Sequence, residues 1–343
     1  MGKGLDMKDI DWTHLTFSYT PTDYIVRSHY ANGSWSKPYA TTDPTIPLHA
    51  AAAALQYAQQ AFEGLKAYRT VDGKVSIFRP EMNAQRMQQS AEAMYMAPVP
   101  TELFIEACEL AVRKNIDYLP PYETGATLYI RPILFGTTPK VGVSPAHEFE
   151  FCVVVTPIGP YFPAGFGTTP FIINRHVDRA APLGTGQWKV GGNYASSFRA
   201  TEPAHEQGMG VLFLDSEEHK YLDECGGANI FLVKNNTYVT PASRSILPSI
   251  INDSLMILCG DLGIQVERRK IPVEELGEFA EAASCGTGAA ISPISRIIDP
   301  DNGKIYEYGE QAGPVCERLY KAIRDVQYAR VEDIHHWRHY VDL

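Results

Sequence analysis

Lys189 stands in Gly184-Thr185-Gly186-Gln187-Trp188-Lys189-Val190-Gly191-Gly192-Asn193-Tyr194, among glycines and aromatics with no acid nearby in sequence to pair it. In partly desolvated surroundings a lysine amine is neutral often enough to attack a carbonyl and form a Schiff base. The glycines would let backbone approach a bulky group closely. Alone, the stretch is more simply read as a solvated lysine in a glycine-rich loop, so it needs corroboration.

A second candidate is Glu224, in Tyr221-Leu222-Asp223-Glu224-Cys225-Gly226-Gly227-Ala228-Asn229-Ile230-Phe231. A carboxylate between two apolar strands is costly unless it meets a cation, and a protonated pyridine nitrogen is a suitable one. A turn carboxylate capping backbone N–H groups is the competing reading. Asp223 is expected to face solvent.

A phosphate needs backbone N–H donors and a fixed cation. Three separated segments offer them: Leu247-Pro248-Ser249-Ile250-Ile251 at a helix start, Ser284-Cys285-Gly286-Thr287-Gly288-Ala289 after a strand, and Arg86 on a helix. None is a nucleotide motif. Position 291 is Ile where a dinucleotide fingerprint needs its third glycine, and G-x-x-x-x-G-K-[ST] does not occur.

The elements that must position these residues alternate along the chain. Ile46 to Ala61, Pro80 to Met96 and Glu102 to Leu119 carry helical patterns. Gly64 to Arg69 and Lys74 to Phe78 read as strands joined at Asp72-Gly73, and Thr127 to Phe135 and Phe149 to Pro157 as two more. From Ile158 to Thr169 the chain is rich in Gly, Pro and aromatics, the best place for an interdomain crossing. Beyond it, strands are predicted at Gly210 to Asp215, Asn229 to Lys234, Thr237 to Val239, Ile264 to Arg268 and Ala282 to Cys285. Helices are predicted at Asn193 to His205, Ile250 to Cys259 and Gly313 to Ala329. The division is a smaller N-terminal α/β domain over 1–158, an interdomain loop over 159–177 and a larger domain over 178–343.

Across 343 residues, 30 Lys and Arg stand against 40 Asp and Glu, a formal charge of −10 that argues against broad binding to nucleic acid or an anionic membrane. No segment approaches the roughly 20 uncharged apolar residues of a membrane span. Met1 to Met7 has no signal-peptide core, and Asp6 occupies the Ser/Thr position of a myristoylation motif. The six cysteines, scattered and without C-x-x-C spacing, are expected to be reduced and mostly buried in a cytoplasmic protein.

The segments Leu55-Gln56-Tyr57, Phe62 to Tyr68, Phe78-Arg79-Pro80 to Arg86-Met87, Tyr129-Ile130-Arg131-Pro132, Lys189 to Tyr194, Glu224 to Phe231, Ile246-Leu247-Pro248 and Gly286-Thr287 occur in the order seen in fold-type IV pyridoxal-phosphate enzymes. From about Phe17 to about Tyr328 the chain resembles the branched-chain amino-acid aminotransferases of the longer, mammalian-like subgroup. The resemblance implies a two-domain α+β or α/β fold, with a β-barrel-like second domain carrying helices. It also implies a homodimer with a shared active site, and ping-pong transamination of L-leucine, L-isoleucine and L-valine with 2-oxoglutarate.

Carried over by position, the resemblance makes Lys189 the Schiff-base and proton-shuttling residue and Glu224 the partner of the pyridine nitrogen. Tyr194 would bond the phenolic oxygen. Arg86, Thr287 and the amides of Ile250 and Ile251 would hold the phosphate, with Arg179 nearby. Phe62, Tyr129 and Tyr194 would wall the substrate pocket, with Tyr57, Val141 and Val143 reaching in from a second subunit. The backbone at Gly288 and Ala289 would bind the α-carboxylate, and Arg131 the distal carboxylate of glutamate.

The sequence departs from the pattern at three places. Pro21 replaces an aromatic, with Tyr19 the candidate substitute; Gly227 replaces Thr; and Ala289 and Ser292 fill the positions of a redox C-x-x-C, so thiol regulation is not expected. D-Amino-acid aminotransferase, aminodeoxychorismate lyase and R-selective amine aminotransferase are the alternatives within the fold, and a non-catalytic pyridoxal-phosphate-binding protein the alternative outside enzymes. The tail Glu332-Asp333-Ile334-His335-His336-Trp337-Arg338-His339 has metal-ligand spacing, but a solvated terminal helix or frayed end is favoured and no metal is expected.

Overall fold

The computed structural model describes residues 10–12, 14–162 and 165–343. The N-terminal segment Met1 to Met7, and Pro163 and Ala164 of the expected crossing, lie outside these. Two compact units form: Met1–Tyr161 with Trp188–Gly191 and Asp325–Leu343, and Phe162–Gln187 with Gly192–Arg324. The break after Tyr161 lies close to the expected boundary at 158, but the expected contiguous domain 178–343 does not hold. The Lys189 segment and the last 19 residues return to the first unit because their apolar side chains, Val190 and Val341 among them, belong to its core. The expected loop 159–177 also contains a strand, Thr169–Asn174.

In the first unit the strands are β1 (Ile25–Ala31), β2 (Ser34–Trp35), β3 (Tyr39–Thr41), β4 (Gln60–Phe62), β5 (Leu65–Arg69), β6 (Val75–Phe78), β7 (Thr127–Gly136) and β8 (Phe149–Ile158). Helices α1 (Ala53–Tyr57), α2 (Pro80–Ala93) and α3 (Thr101–Lys114) accompany them. The sheet order is β6-β5-β7-β8-β1-β2, with β3 on β1, β4 on β7 and the C-terminal strand Arg338–Tyr340 outside β6. Every pairing is antiparallel. The Asp72-Gly73 hairpin forms as expected, with Gly73 at φ 80°.

The predicted helix from Ile46 to Ala61 shrinks to Ala53–Tyr57. Ala58 turns left-handed at φ 51°, and Gln60–Phe62 pairs with β7, so sheet pairing overrides local helix propensity. The tail is not a frayed helix. Asp333 accepts the N–H groups of Trp337 and Arg338 at 3.0 and 2.7 Å, and Trp337 is buried edge-on to Phe78 beneath the Arg79 guanidinium.

Two periodicities aim side chains from this unit. On α2, Asn83, Arg86, Met87 and Ser90 are all buried, a helical repeat that turns one face inward. On β7, Leu128, Ile130 and Leu134 enter the core, so alternation puts Tyr129 and Arg131 together on the other face.

The second unit holds β9 (Thr169–Asn174), β10 (Gly210–Leu214), β11 (Leu222–Cys225), β12 (Asn229–Lys234), β13 (Thr237–Pro241), β14 (Gln265–Arg269), β15 (Glu281–Gly286), β16 (Ala290–Asp299) and β17 (Lys304–Glu307), with helices α4 (Gly191–His205), α5 (Ile250–Asp261) and α6 (Pro314–Gln327). The curled sheet runs β11-β10-β9-β16-β15-β12-β13-β14, with β17 on β16. Asn235 and Asn236, at φ 50° and 56°, make the β12–β13 hairpin turn. The core lies between this sheet and the segment carrying Ile271, Val273, Leu276 and Phe279.

Candidate active site

In the first unit, Lys189 is fastened by its backbone. Its N–H donates to Ser90 Oγ at 3.0 Å, and its carbonyl accepts the Phe62 N–H at 3.1 Å. The side chain runs over the Phe62 ring, with Nζ 4.8 Å from the centroid. On the next residue of the same segment as Phe62, Glu63 is fully buried. Arg86 grips its carboxylate with Nε at 2.7 Å and Nη2 at 2.8 Å, and Asn83 adds a bond at 2.7 Å. Burial pushes the Glu63 carboxyl up, but the charge and hydrogen bonds of Arg86, the charge of Lys189 and the Asn83 bond outweigh it. The group is held below the usual carboxylate range.

Lys189 therefore has an acid in its electrostatic surroundings, though none near it in sequence. Glu63 lies within a motif noted above but was given no role. The available signal was a carboxylate between Phe62 and the apolar strand that begins at Leu65, a costly position without a cation.

Phe62, Tyr129 and Arg131 come together in this unit. Arg131 lies over the Phe62 and Tyr129 rings, at 4.9 and 5.2 Å from their centroids, and donates to the Tyr129 hydroxyl at 3.0 Å. Gly64 makes this possible: a Cβ there would lie 2.1 Å from the Tyr129 hydroxyl oxygen. Phe17, not Tyr19, stands edge-on to Tyr129 at 5.2 Å, while Tyr19 is 61% exposed. Tyr57 hydrogen-bonds the Val141 carbonyl, and Tyr57, Val141 and Val143 are each exposed.

In the second unit, all four residues of β11 are buried, Asp223 included, against the expectation that it faces solvent. Its carboxylate accepts the Ser245 hydroxyl at 2.7 and 2.9 Å, and burial raises it above the ordinary aspartate range despite this bond. Glu224 is met by Arg179 at 2.5 Å and Asn229 at 2.9 Å. Arg179, expected beside a phosphate, is thus engaged by Glu224 and by the carbonyls of Gly186 and Ser245.

The other expected residues of the unit lie on α4, at the start of α5 and in the turn between β15 and β16. Tyr194 is half-buried on α4. Gly227 leaves space at the β11–β12 turn, where a Cβ would reach no closer than 4.0 Å to the Tyr194 ring. Ile250 and Ile251 open α5, whose cap Ser249 accepts the Asn252 N–H. The first-turn amides of a helix lack intrahelical acceptors and favour anions. Thr287, Gly288 and Ala289 form the tight turn between β15 and β16, closed by the left-handed Ala290 at φ 66°.

All six cysteines are free and buried. Among the described residues, no group of three or more His, Cys, Asp and Glu side chains is arranged to hold a metal ion, and no helix is long and apolar enough to cross a membrane.

The family profile described as amino-transferase class IV matches residues 60–297. A branched-chain-amino-acid aminotransferase of Haemophilus influenzae is 44% identical over 339 residues, covering 96% of this chain and 98% of the relative. One from Helicobacter pylori is 42% identical, with 97% and 98% covered. Among solved structures, the Escherichia coli branched-chain amino acid aminotransferase superposes with a TM-score of 0.77 at 28% identity, covering 94% of this chain and all of that one. A branched-chain amino acid aminotransferase from T.th., solved with pyridoxamine 5′-phosphate, gives 0.78 at 27% identity, covering 94% and 99%. Motif order, fold and full-length similarity agree: the chain belongs to the class-IV aminotransferase family, on its branched-chain-amino-acid aminotransferase branch.

Proposed function

We propose that this chain transaminates L-leucine, L-isoleucine and L-valine with 2-oxoglutarate, giving branched-chain 2-oxo acids and L-glutamate, with pyridoxal 5′-phosphate as its cofactor. The reading is carried by the placement of Lys189, backbone-bonded at both ends and lying over Phe62, in a chain 44% identical along nearly its whole length to a branched-chain-amino-acid aminotransferase.

The residues fit the cofactor. Glu224 is a buried carboxylate suited to a ring nitrogen, and Tyr194 offers a hydroxyl for the phenolic oxygen. Within the second unit, the amides of Ile250 and Ile251 with Thr287 would hold the phosphate. Asn229 presents a buried Oδ1 with no hydrogen-bond partner among the described residues. When bound, the cofactor supplies the electron sink that acidifies the α-hydrogen of the amino acid.

The chain's own groups do the rest. Lys189 Nζ, once freed, takes the α-proton and returns it. Phe62 and Tyr129 offer apolar walls to an aliphatic side chain. Arg131 meets the distal carboxylate of glutamate or 2-oxoglutarate, and when an aliphatic substrate is bound its guanidinium stays stacked on the Phe62 and Tyr129 rings instead of being left bare. Gly288 and Ala289 offer backbone to the α-carboxylate.

We further propose a cytoplasmic homodimer in which the exposed Tyr57, Val141 and Val143 reach the partner's substrate pocket.

The test compares L-leucine with D-alanine as donors to 2-oxoglutarate, in wild type and Lys189→Ala, with borohydride trapping and peptide mapping. L-Leucine turnover, a cofactor adduct on Lys189 and an inert variant are expected. Turnover of D-alanine alone, or an adduct on another lysine, would sink the proposal.

A further inference from the structure

Two carboxylates stand side by side on β11 with 2% and 3% exposure, Asp223 and Glu224. Adjacent residues of a strand point to opposite faces, so each buried acid needs its own partner. Glu224 receives a full cation: Arg179 Nη2 lies 2.5 Å from Oε1, while Asn229 Nδ2 holds Oε2 at 2.9 Å. Asp223 receives hydroxyl donors instead, Ser245 foremost.

Ser245 connects the two. Its hydroxyl is on Asp223, and its carbonyl accepts Arg179 Nη2, which also donates to the Gly186 carbonyl at 3.0 Å. Gly186 is required for that approach, because a Cβ there would lie 2.6 Å from Ser245 Cα and 2.7 Å from its carbonyl oxygen. Arg179 is itself only 4% exposed, and its Nη2 faces the Gly186 and Ser245 carbonyls and the Glu224 carboxylate together.

We propose that Arg179 is a positioning residue for Glu224: it keeps that carboxylate ionised and fixes its direction, and Ser245 with Gly186 keeps Arg179 in place. A cation in contact with a buried carboxylate lowers the cost of its charge, so a proton shared with a partner base stays on the partner. Arg179 thereby acts on the cofactor through Glu224 and not as a phosphate ligand. The inference rests on the reading of Glu224 as the acid that faces the ring nitrogen.

The test uses full-length wild type, Arg179→Met, Arg179→Lys and Ser245→Ala, each prepared as apoprotein and titrated with pyridoxal 5′-phosphate and with pyridoxal. A positioning role predicts that Arg179→Met loses affinity for both forms by a similar factor. Its bound-cofactor absorption spectrum changes, and kcat falls about 10- to 100-fold with KM for L-leucine little changed. Arg179→Lys recovers part of the loss, and Ser245→Ala shifts the spectrum in the same direction by less.

Loss confined to the phosphorylated form would overturn the proposal by making Arg179 a phosphate ligand. An unchanged spectrum and kcat in Arg179→Met would overturn it as well. If Arg179→Met does not fold, Arg179→Lys and Ser245→Ala decide, and an unaltered spectrum in both counts against it. Borohydride trapping on wild type separates the two levels: no adduct on Lys189 defeats the functional reading, whereas a normal adduct with indifferent variants defeats only the role of Arg179.

Discussion

Arg86 offers Nε and Nη2 to the two carboxylate oxygens of Glu63 at 2.7 and 2.8 Å, a fork-on-fork pair with Glu63 fully buried and Arg86 nearly so. The pair ties α2 to the segment between β4 and β5, and so sets the backbone that holds Lys189 through Phe62 and Ser90.

Glu63→Gln leaves the Arg86 charge buried without its carboxylate, and is expected to cost about 3–5 kcal/mol of unfolding free energy. The folded Glu63 carboxyl is held below the usual carboxylate range, so its contribution is present above the unfolded value and lost as pH falls through the folded one. Denaturant titrations should show the wild-type advantage over Glu63→Gln shrinking in acid. An advantage independent of pH would contradict this.

The His339 ring lies between Glu109 on α3 at 2.6 Å and Glu81 on α2 at 3.3 Å, which joins the C-terminal strand to both helices. The Glu81 hydrogen bond, against some loss from burial and with help from Glu109, pushes His339 up from 6.5 to about 9. A raised folded value means the stabilisation is fully present below about 6.5 and disappears as pH rises through about 9. His339→Asn should lower Tm near neutral pH, with the difference closing in alkali; an equal difference at both would be inconsistent with an ion-paired histidine.

Gly64→Ala places a methyl on the Tyr129 hydroxyl, which must move and release its bond from Arg131. The overpacking is expected to cost about 1–3 kcal/mol. KM should rise for branched-chain amino acids while Lys189 still traps cofactor. Wild-type kinetics would show that Tyr129 does not wall the pocket.

Arg131→Met keeps the apolar stack on Phe62 and Tyr129 but removes the charge. We expect KM for 2-oxoglutarate to rise about 30-fold or more, equivalent to about 2 kcal/mol for a lost charge-assisted contact, with the L-leucine half-reaction little affected. Equal losses in the two half-reactions would remove Arg131 as the glutamate-selective group.

The thiols should be silent. Burial pushes Cys152, Cys259 and Cys285 to about 12, and Cys108, Cys225 and Cys316 are also shifted upward. An aromatic disulfide reagent is expected to label none of the six in the folded protein and all of them after denaturation; rapid native labelling would contradict the burial.

Local chemistry sufficed wherever one segment carries its own instruction. Pro80 opening a helix, Asp72-Gly73 and Asn235-Asn236 turning hairpins, and the β-branched run of Thr127 to Phe135 follow from backbone preference and alternation. Lys189 and Glu224 stood out because each is a charge in apolar company. The partners of those charges depended on the tertiary structure. Glu63 meets Arg86 only when strand register and helix phase agree, and Arg179 meets Glu224 only when the Gly186 backbone lies against Ser245. The return of Asp325–Leu343 to the first unit, with Arg338–Tyr340 pairing β6, likewise depended on an apolar face and a sheet edge made elsewhere in the chain. Propensity acts over a few residues, whereas the cost of burying a charge is settled by whatever the whole fold brings beside it.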